Sequence, residues 1–519
     1  MVRFAGFFSS KRMVALFAVL LPIGALRTAG YQASTTDSDE LPFSYYRGSP
    51  LQIGNDTQFV FDDFLVEDRW KLTRTRGSIL KYSRNPVIAQ DKPWEDAVGG
   101  SPSVLYDDKL HKYRMWFTCF SPSNYFSKKG PSYYTEYAES EDGYVWNKPR
   151  LKGFPFGGYD ATNVVATGNM KRASSAQVML NPNQSDPQKR FMIVYTGGSG
   201  LVVTYSPDGL HWGPEETRLL PYHSDTDNNV IWVPERHLWY LYCRPSIRSG
   251  GMGPLPEGQR HLGRRMSLAT SPDLKQWSAP RTIFYPDERD LPDYDNVYVF
   301  RRHGVFLALY SIMNQEKGHS EVETYIATSR DGIQWQRMWD RKPLVTRGPE
   351  GSYDHGEVEP GVSPPIEMGE HMLFYYYAAQ RPQDTWYNDS SVAMFRMRRD
   401  RFIGQTAGEQ TGYLVTRQFI LDGSKLVLNL QSLPIPYDDK TGGIQVEIIQ
   451  APDNKTSDTR WETPVAGFTM ADADLLAGDA LEQPVTWHGN SDLSALRGKA
   501  VYLRFKMKRA TLYSFRLLK

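Results

Sequence analysis

The chain of 519 residues has only two cysteines, Cys119 and Cys243, so cysteine-based zinc sites and disulfide scaffolds are excluded by count. Both sit in apolar, strand-like runs, "YRMWFTCF" and "LWYLYCRP", where a thiol packs as a small hydrophobe; a disulfide between them is permitted after export. Net charge is equally scarce. Lys plus Arg number 60 against 59 for Asp plus Glu, a net of +1, and such a balance draws the chain neither to nucleic acid nor to an anionic membrane. Long apolar stretches are lacking too. "VALFAVLLPIGAL" (14–26) falls short of the ~20 residues that span a bilayer, and it follows the basic, acid-free "MVRFAGFFSSKRM". Together they read as a secretory signal over 1–33, with a polar linker over 34–49. The expected location is secreted or periplasmic, without stable membrane insertion once the signal is removed; an uncleaved anchor is the alternative.

What is present in quantity is aromatic: 13 Trp, 31 Tyr and 24 Phe, a load suited to β-structure and to stacking on flat ligands. The heptapeptide S-x-D-G-x-x-W appears three times, as "SEDGYVW" (140–146), "SPDGLHW" (206–212) and "SRDGIQW" (329–335), and once with Leu for Gly, as "SPDLKQW" (271–277). Upstream of each lies an aromatic strand: "KYRMWFTCF", "RFMIVYTGG", "HLWYLYCRP" and "GVFLALYSIM". A fifth, "HMLFYYYAAQ", follows the last heptapeptide, and a shorter β-run precedes each of the five. The repeating unit is therefore strand, turn, aromatic strand, a third strand ending at the heptapeptide, then a fourth strand. Five such units predict an all-β fold, a five-bladed β-propeller over 50–411. The Asp-Gly makes the turn, Ser and Asp oxygens cap local N–H groups, and Trp packs between blades. The fifth unit has no Trp-terminated turn; "RRDRFIG" can make an equivalent one, and an N-terminal strand such as "TQFVFDDFLVE" (57–67) is an alternative way to complete it. From 412 to 519 the alternation and turn spacing predict an accessory β-sandwich, with carbohydrate binding as its alternative role.

Aromatic strands each followed by S-x-D-G-x-x-W resemble the five-bladed propeller glycosidases of families 43, 32, 68 and 117 and the phosphorylases of family 130. The resemblance covers roughly 50–519, and the propeller followed by a sandwich is similar to the layout of family 32. It implies a hydrolase of glycosidic bonds acting on an oligo- or polysaccharide, with a pair of carboxylates in the propeller funnel. Family 32's Asn-Asp-Pro-Asn-like start motif is absent, so no one family is assigned. Sialidases repeat a longer box, one residue more between Asp and Trp, and stand as an alternative. So do a glycoside phosphorylase and a sugar-binding propeller without catalysis.

Two carboxyl groups must flank a glycosidic bond, one protonated and one ionised. The starts of the first strands converge on one axis, so acids are sought there. Asp227 and Asp295 are candidates for base or nucleophile and for positioning acid. Glu357 or Glu359, in "EVEPG", is the candidate general acid, since that stretch loosely resembles the Glu-Gly-Pro of family 43 with its order altered. Asp96 is the candidate from the first unit. Candidate substrate-binding residues are Arg244, His355, Trp94, Tyr353 and His223, with Tyr294 beside them: rings stack on sugar faces and Arg holds hydroxyl or acidic groups. No cofactor is expected. The alternative of a divalent ion falls on His223, Asp225 and Asp227.

Overall fold

The computed structural model describes residues 50–519 except 183–184, 199, 219, 221–223, 225–227, 245–263, 292, 315–318, 386–388, 434–441 and 451–462. The expected signal and linker lie outside the described residues. Ser49–Lys519 forms one unit, and it is nearly all-β.

Three four-stranded antiparallel sheets follow one another. The first is built from Ala97–Asp107, Lys112–Phe120, Tyr133–Ser140 and Val164–Ala166. The second takes Ser174–Leu180, Phe191–Gly197, Gly200–Ser206 and Glu216–Arg218. The third takes Asn229–Val233, Leu238–Cys243, Ser267–Ser271 and Arg281–Thr282. A nine-stranded sheet comes next and divides at a single parallel pairing, Val322 to Glu357. On one side of it, the fourth group is Asp293–Arg302, Val305–Asn314, Glu321–Ser329 and Gln336–Arg337. On the other, the fifth is Glu357–Pro360 with Ile366–Met368, His371–Ala379, Ser390–Arg398 and Ile79–Lys81.

The second strands are aromatic because both their faces are covered. Trp116, Tyr195, Tyr242, Tyr310 and Tyr376 are all buried, and full burial of such a ring contributes roughly 2–3 kcal/mol. First strands are joined to one another by side-chain hydrogen bonds. Ser103 Oγ accepts from Val178 N (2.9 Å). Gln177 pairs with both the N–H and the C=O of Val230 (2.7 and 3.1 Å). Asn229 Oδ1 accepts from Val299 N (2.9 Å), Asn296 Nδ2 donates to Glu359 Oε2 (2.6 Å), and Ser363 Oγ accepts from Val104 N (2.8 Å). The series runs from the first sheet through the fifth and returns to the first.

The heptapeptides behave as local chemistry dictates. Ser140 Oγ accepts from Gly143 N (2.9 Å), and Asp142 Oδ1 accepts from the N–H groups of Tyr144 and Val145 (2.8 Å each). The other three turns repeat the Asp pattern. Gly143, Gly209 and Gly332 take φ of 74°, 75° and 73°, where a Cβ is disfavoured. Each Trp of the motif packs against apolar residues, Trp146 edge-on to Tyr375 and Trp335 edge-on to Tyr242. Cys119 and Cys243 are buried and are not joined in a disulfide.

Two expectations need correction. Residues 57–67 do not complete the fifth sheet; Ile79–Lys81 does, paired with Phe395–Met397. The segment 57–67 cannot run as one strand, because Asp62 turns to Arg330 and Asp63 to Arg74. Its ends go to the C-terminal sheets, where Gln58–Phe59 pairs with residues 514–515 and Val66–Trp70 with 413–416. Nor does 412 divide the chain cleanly. Ile403–Ala407 and Thr73–Arg76 lie in one antiparallel sheet with Ala510–Leu518, Lys425–Ser432 and Asp479–Pro484. Gly412–Thr416, Ala500–Lys508, Phe419–Ile420 and Gly443–Gln450 form the other, and the two share one apolar core. Among the described residues no helix is long and apolar enough to cross a membrane.

Candidate functional site

The first strand of the fourth group opens with Asp293, Tyr294, Asp295 and Asn296, and its pairing with Val305–Asn314 shifts register between Tyr294 and Val297. A bulge of this kind re-aims the side chains it carries. Asp295 is 1% exposed and collects donors from three directions. Arg244, one residue past the third sheet's second strand, gives Nη1 to Oδ1 (2.6 Å) and to the Asp295 carbonyl (2.7 Å). Arg264, just before that sheet's third strand, gives Nη1 to Oδ1 (2.7 Å), and Gln383 Nε2 donates to Oδ2 (3.0 Å).

Asn296 carries the cluster onward. Ser311 Oγ donates to its Oδ1 (2.7 Å) and accepts from its N–H (3.1 Å). The amide is thereby locked with its NH2 toward Glu359 Oε2, at 2.6 Å. Glu359 is half-buried and Glu357, two residues back on the same strand, is 1% exposed. Glu359 of the fifth group thus lies against the fourth: the Asn296 amide donates to it, and its carboxyl is hydrogen-bonded to that of Asp295.

Their electrostatics differ. Burial works against a charge on Asp295, yet the Arg264 and Arg244 guanidiniums prevail and hold its carboxyl below the usual range. Asp293 goes the other way: burial first, and then the Asp295 charge, push it up against the pull of Arg264. Two carboxyls two residues apart are driven in opposite directions, the condition in which one stays ionised while its neighbour keeps a proton more readily.

Of the residues named from the sequence, Arg244 and Asp295 are in contact and Glu359 lies beside them through Asn296, with Glu357 on the same strand as Glu359. Asp227 and His223 lie outside the described residues, as does Asp225. Asp96 stands half-buried before the first sheet's first strand, its N–H facing Tyr134 OH at 3.4 Å. The aromatic candidates are spent elsewhere. Trp94 is buried in the core shared by the first and fifth sheets, with Nε1 donating to Asn163 Oδ1 (3.0 Å). Tyr353 OH meets Tyr376 OH (2.9 Å) and accepts from Asn85 (2.9 Å). Tyr294 is fully buried and accepts from Arg337 (2.5 Å). His355 offers its carbonyl to Arg347 Nη1 (2.5 Å), while its Nδ1 is 3.4 Å from the Gly348 carbonyl. Polar satisfaction inside the sheets, which a one-dimensional pattern does not register, decided these fates. Arg264, Gln383 and Asn296 were not foreseen; "DYDNVYVF" held Asn296, but only the bulge gives it a role.

A second set of buried acids lies in the first sheet. Glu95 Oε2 accepts from Asp91 N and Lys92 N (2.8 and 3.0 Å), and Lys148 Nζ meets its Oε1 at 2.5 Å. Fully buried Glu136 accepts from Asn163 Nδ2 (2.9 Å). Burial, and then the Glu95 charge beside it, push Glu136 well above its ordinary 4.5. Among the described residues no group of three or more His, Cys, Asp or Glu is placed to hold a metal ion.

No family model matches the chain, and no curated protein matches it. Solved structures do match, and glycoside hydrolases and phosphorylases are among them. A β-1,2-mannobiose phosphorylase from Listeria innocua is 15% identical, with 62% of this chain and 97% of that one covered and a TM-score of 0.43. The catalytic domain of a family 62 α-L-arabinofuranosidase from Coprinopsis cinerea is 13% identical over 62% and 96%, TM-score 0.40. An N-acetylgalactosamine deacetylase from F. plautii is 15% identical over 63% and 95%, TM-score 0.40. Likeness at that level carries no activity to this chain.

Proposed function

We propose that the chain is a five-bladed β-propeller with a C-terminal β-sandwich, and that it is a secreted glycoside hydrolase acting on an oligo- or polysaccharide. The propeller reading is supported by four four-stranded groups and a five-stranded fifth in succession, and by side-chain hydrogen bonds that link the groups in a cyclic series. The functional reading rests on one observation above all: Glu359 of the fifth group accepts from Asn296 and is hydrogen-bonded to Asp295, both of the fourth. Glycoside cleavage needs carboxyls of unlike protonation around one bond, and this cluster has groups whose surroundings push them apart.

Asp295, engaged on both oxygens by Arg244, Arg264 and Gln383, is the positioning acid. Its fixed charge orients the donors around it and raises the affinity of neighbouring carboxyls for a proton. Glu359, half-buried and held through one oxygen by Asn296, is the general acid that protonates the departing sugar oxygen. Asp96 and Asp227 remain the proposed sources of the base that directs water to the anomeric carbon. Arg264, 29% exposed at its side chain beside the acids, favours a second reading in which inorganic phosphate replaces water, as in a glycoside phosphorylase.

The test is a screen of the full chain against plant, algal and bacterial polysaccharides and aryl-glycosides, with and without inorganic phosphate. Reducing sugar and sugar phosphate are both measured, beside Glu359→Gln. Loss of a general acid should lower turnover by about a hundred- to ten-thousand-fold in a protein that melts as wild type does. Full turnover by folded Glu359→Gln would remove Glu359 from the chemistry. Dependence on phosphate would select the phosphorylase, and sugar binding without release would select a non-catalytic propeller.

A further inference from the structure

The repeat contains an irregular joint. Counting back from the Ser of each heptapeptide by three residues, and across to the second strand, gives Trp116 (opposite Tyr137), Val194 (opposite Val203), Tyr242 (opposite Leu268) and Leu309 (opposite Ile326). In the fifth sheet the corresponding residue is Tyr375, opposite Met394. Three of these reach the next sheet's turn and donate to the carbonyl of its glycine: Trp116 to Gly209 (2.8 Å), Tyr242 to Gly332 (2.9 Å) and Tyr375 to Gly143 (2.5 Å). Between the fourth and fifth sheets the position is Leu309 and between the second and third it is Val194, neither of which has a side-chain donor. The turn that Val194 faces has Leu274 in place of glycine, at φ 62°, a backbone region that favours glycine.

At this joint a cleft of about 670 Å³ opens, lined by Leu274 together with Tyr205, Trp232, Trp239, Asn181, Lys189 and Asp273. Trp232 and Trp239 are a cross-strand pair with ring centroids 5.3 Å apart; Trp232 and Tyr205 are half-buried, while Trp239 is 8% exposed. The pair stands at the turn end of its hairpin. Arg244 leaves the same hairpin at the other end, toward Asp295, so this cleft is apart from the acid cluster.

We propose that the cleft is a separate binding site for a neutral saccharide chain. A volume in the ~300–1,000 Å³ range fits a small flexible ligand, whereas a stable protein partner needs a patch of roughly 800 Å². Its charged side chains, Lys189, Asp186 and Asp273, are engaged locally, Asp186 Oδ1 accepting from Gln188 N. Lys189 Nζ lies 5.2 Å from the Tyr205 ring centre, and Asp273 Oδ1 accepts from Lys275 N and Gln276 N. Aromatic faces bordered by amide, ammonium and carboxylate groups match a pyranose, apolar on its C–H face and polar at its rim. The site does not depend on the acid cluster being catalytic.

The test is electrophoresis of the full chain through native gels containing xylan, arabinan, galactan, mannan or β-glucan, comparing Trp232→Leu, Trp232→Phe, Tyr205→Ala and Glu359→Gln. At least one polysaccharide should retard wild type and Glu359→Gln alike. Trp232→Leu, which keeps bulk without a ring, and Tyr205→Ala, on a different sheet, should each weaken retardation about tenfold, while Trp232→Phe stays near wild type. Three results overturn the proposal: no retardation of wild type in any gel, retardation of Trp232→Leu and Tyr205→Ala equal to wild type, or loss in Glu359→Gln alone.

Discussion

The molecule buries two sets of carboxyl groups, and they differ in what surrounds them. In the first sheet, Glu95 and Glu136 are closed in with Lys148, Asn163 and a packed Trp94. In the fourth and fifth groups, Asp295 is just as buried, but Arg264 and Glu359 remain part-open beside it. Burial of an acid therefore does not mark a site. What separates the two sets is a half-buried carboxyl at the margin, positioned by a locked amide and next to a charge that is itself held in place.

Substitutions can break this contrast, beginning with the largest effect. Glu359→Gln should abolish most sugar release, by about a hundredfold or more, with an unchanged melting temperature. Lys148→Met should do the opposite. It strands the Glu95 carboxylate, whose side chain is fully inaccessible, and should cost about 3–5 kcal/mol of stability measured by urea unfolding, while activity per folded molecule holds. Asp107, between Arg190 and Arg114, extends the structural side of the comparison. Burial opposes its charge, but the two guanidiniums hold it at about 2 against an ordinary 3.8. Its contribution is present above pH 3.8 and is lost as pH falls through about 2, so Asp107→Asn should remove about 2 kcal/mol at neutral pH and flatten the acid limb of the stability curve.

The smallest effect sharpens the comparison within the sealed set. Glu136 is raised well above 4.5 by burial and by Glu95, so the folded state binds its proton more tightly than the unfolded chain. That stability is complete below pH 4.5 and is given up as pH climbs through the folded value. Glu136→Gln should make melting temperature less sensitive to pH above 4.5, with sugar release unaffected. An unchanged slope would mean that burial and the Glu95 charge do not raise Glu136 in the folded state.

Much of the architecture was legible because it repeats. Aromatic strands and S-x-D-G-x-x-W turns announce themselves by composition and by a turn chemistry that is local, and the structure uses Asp142 and Ser140 as the residues alone suggest. The last strand of the fifth group was not legible: 57–67 looks more strand-like than Ile79–Lys81, but Asp62 and Asp63 break its run by pairing with Arg330 and Arg74. For the site, single residues could be named and their associations could not. Asp295 and Arg244 stood out as charges near strand ends. Arg264 is one of two adjacent arginines with nothing local to distinguish it, and its contact with Asp295 exists only once the third and fourth groups are side by side. Trp94 looked like a wall for a sugar because an aromatic beside acids usually invites that reading; Asn163, 69 residues away, claims its N–H.

The most direct test of the central claim sets the two acid clusters against each other in one assay. Sugar release from the substrate found by screening would be measured for Glu359→Gln and Glu136→Gln, each checked for native melting. The account predicts that Glu359→Gln is folded and inactive while Glu136→Gln is folded and active. A folded, inactive Glu136→Gln beside a fully active Glu359→Gln would place the chemistry in the first sheet and contradict it.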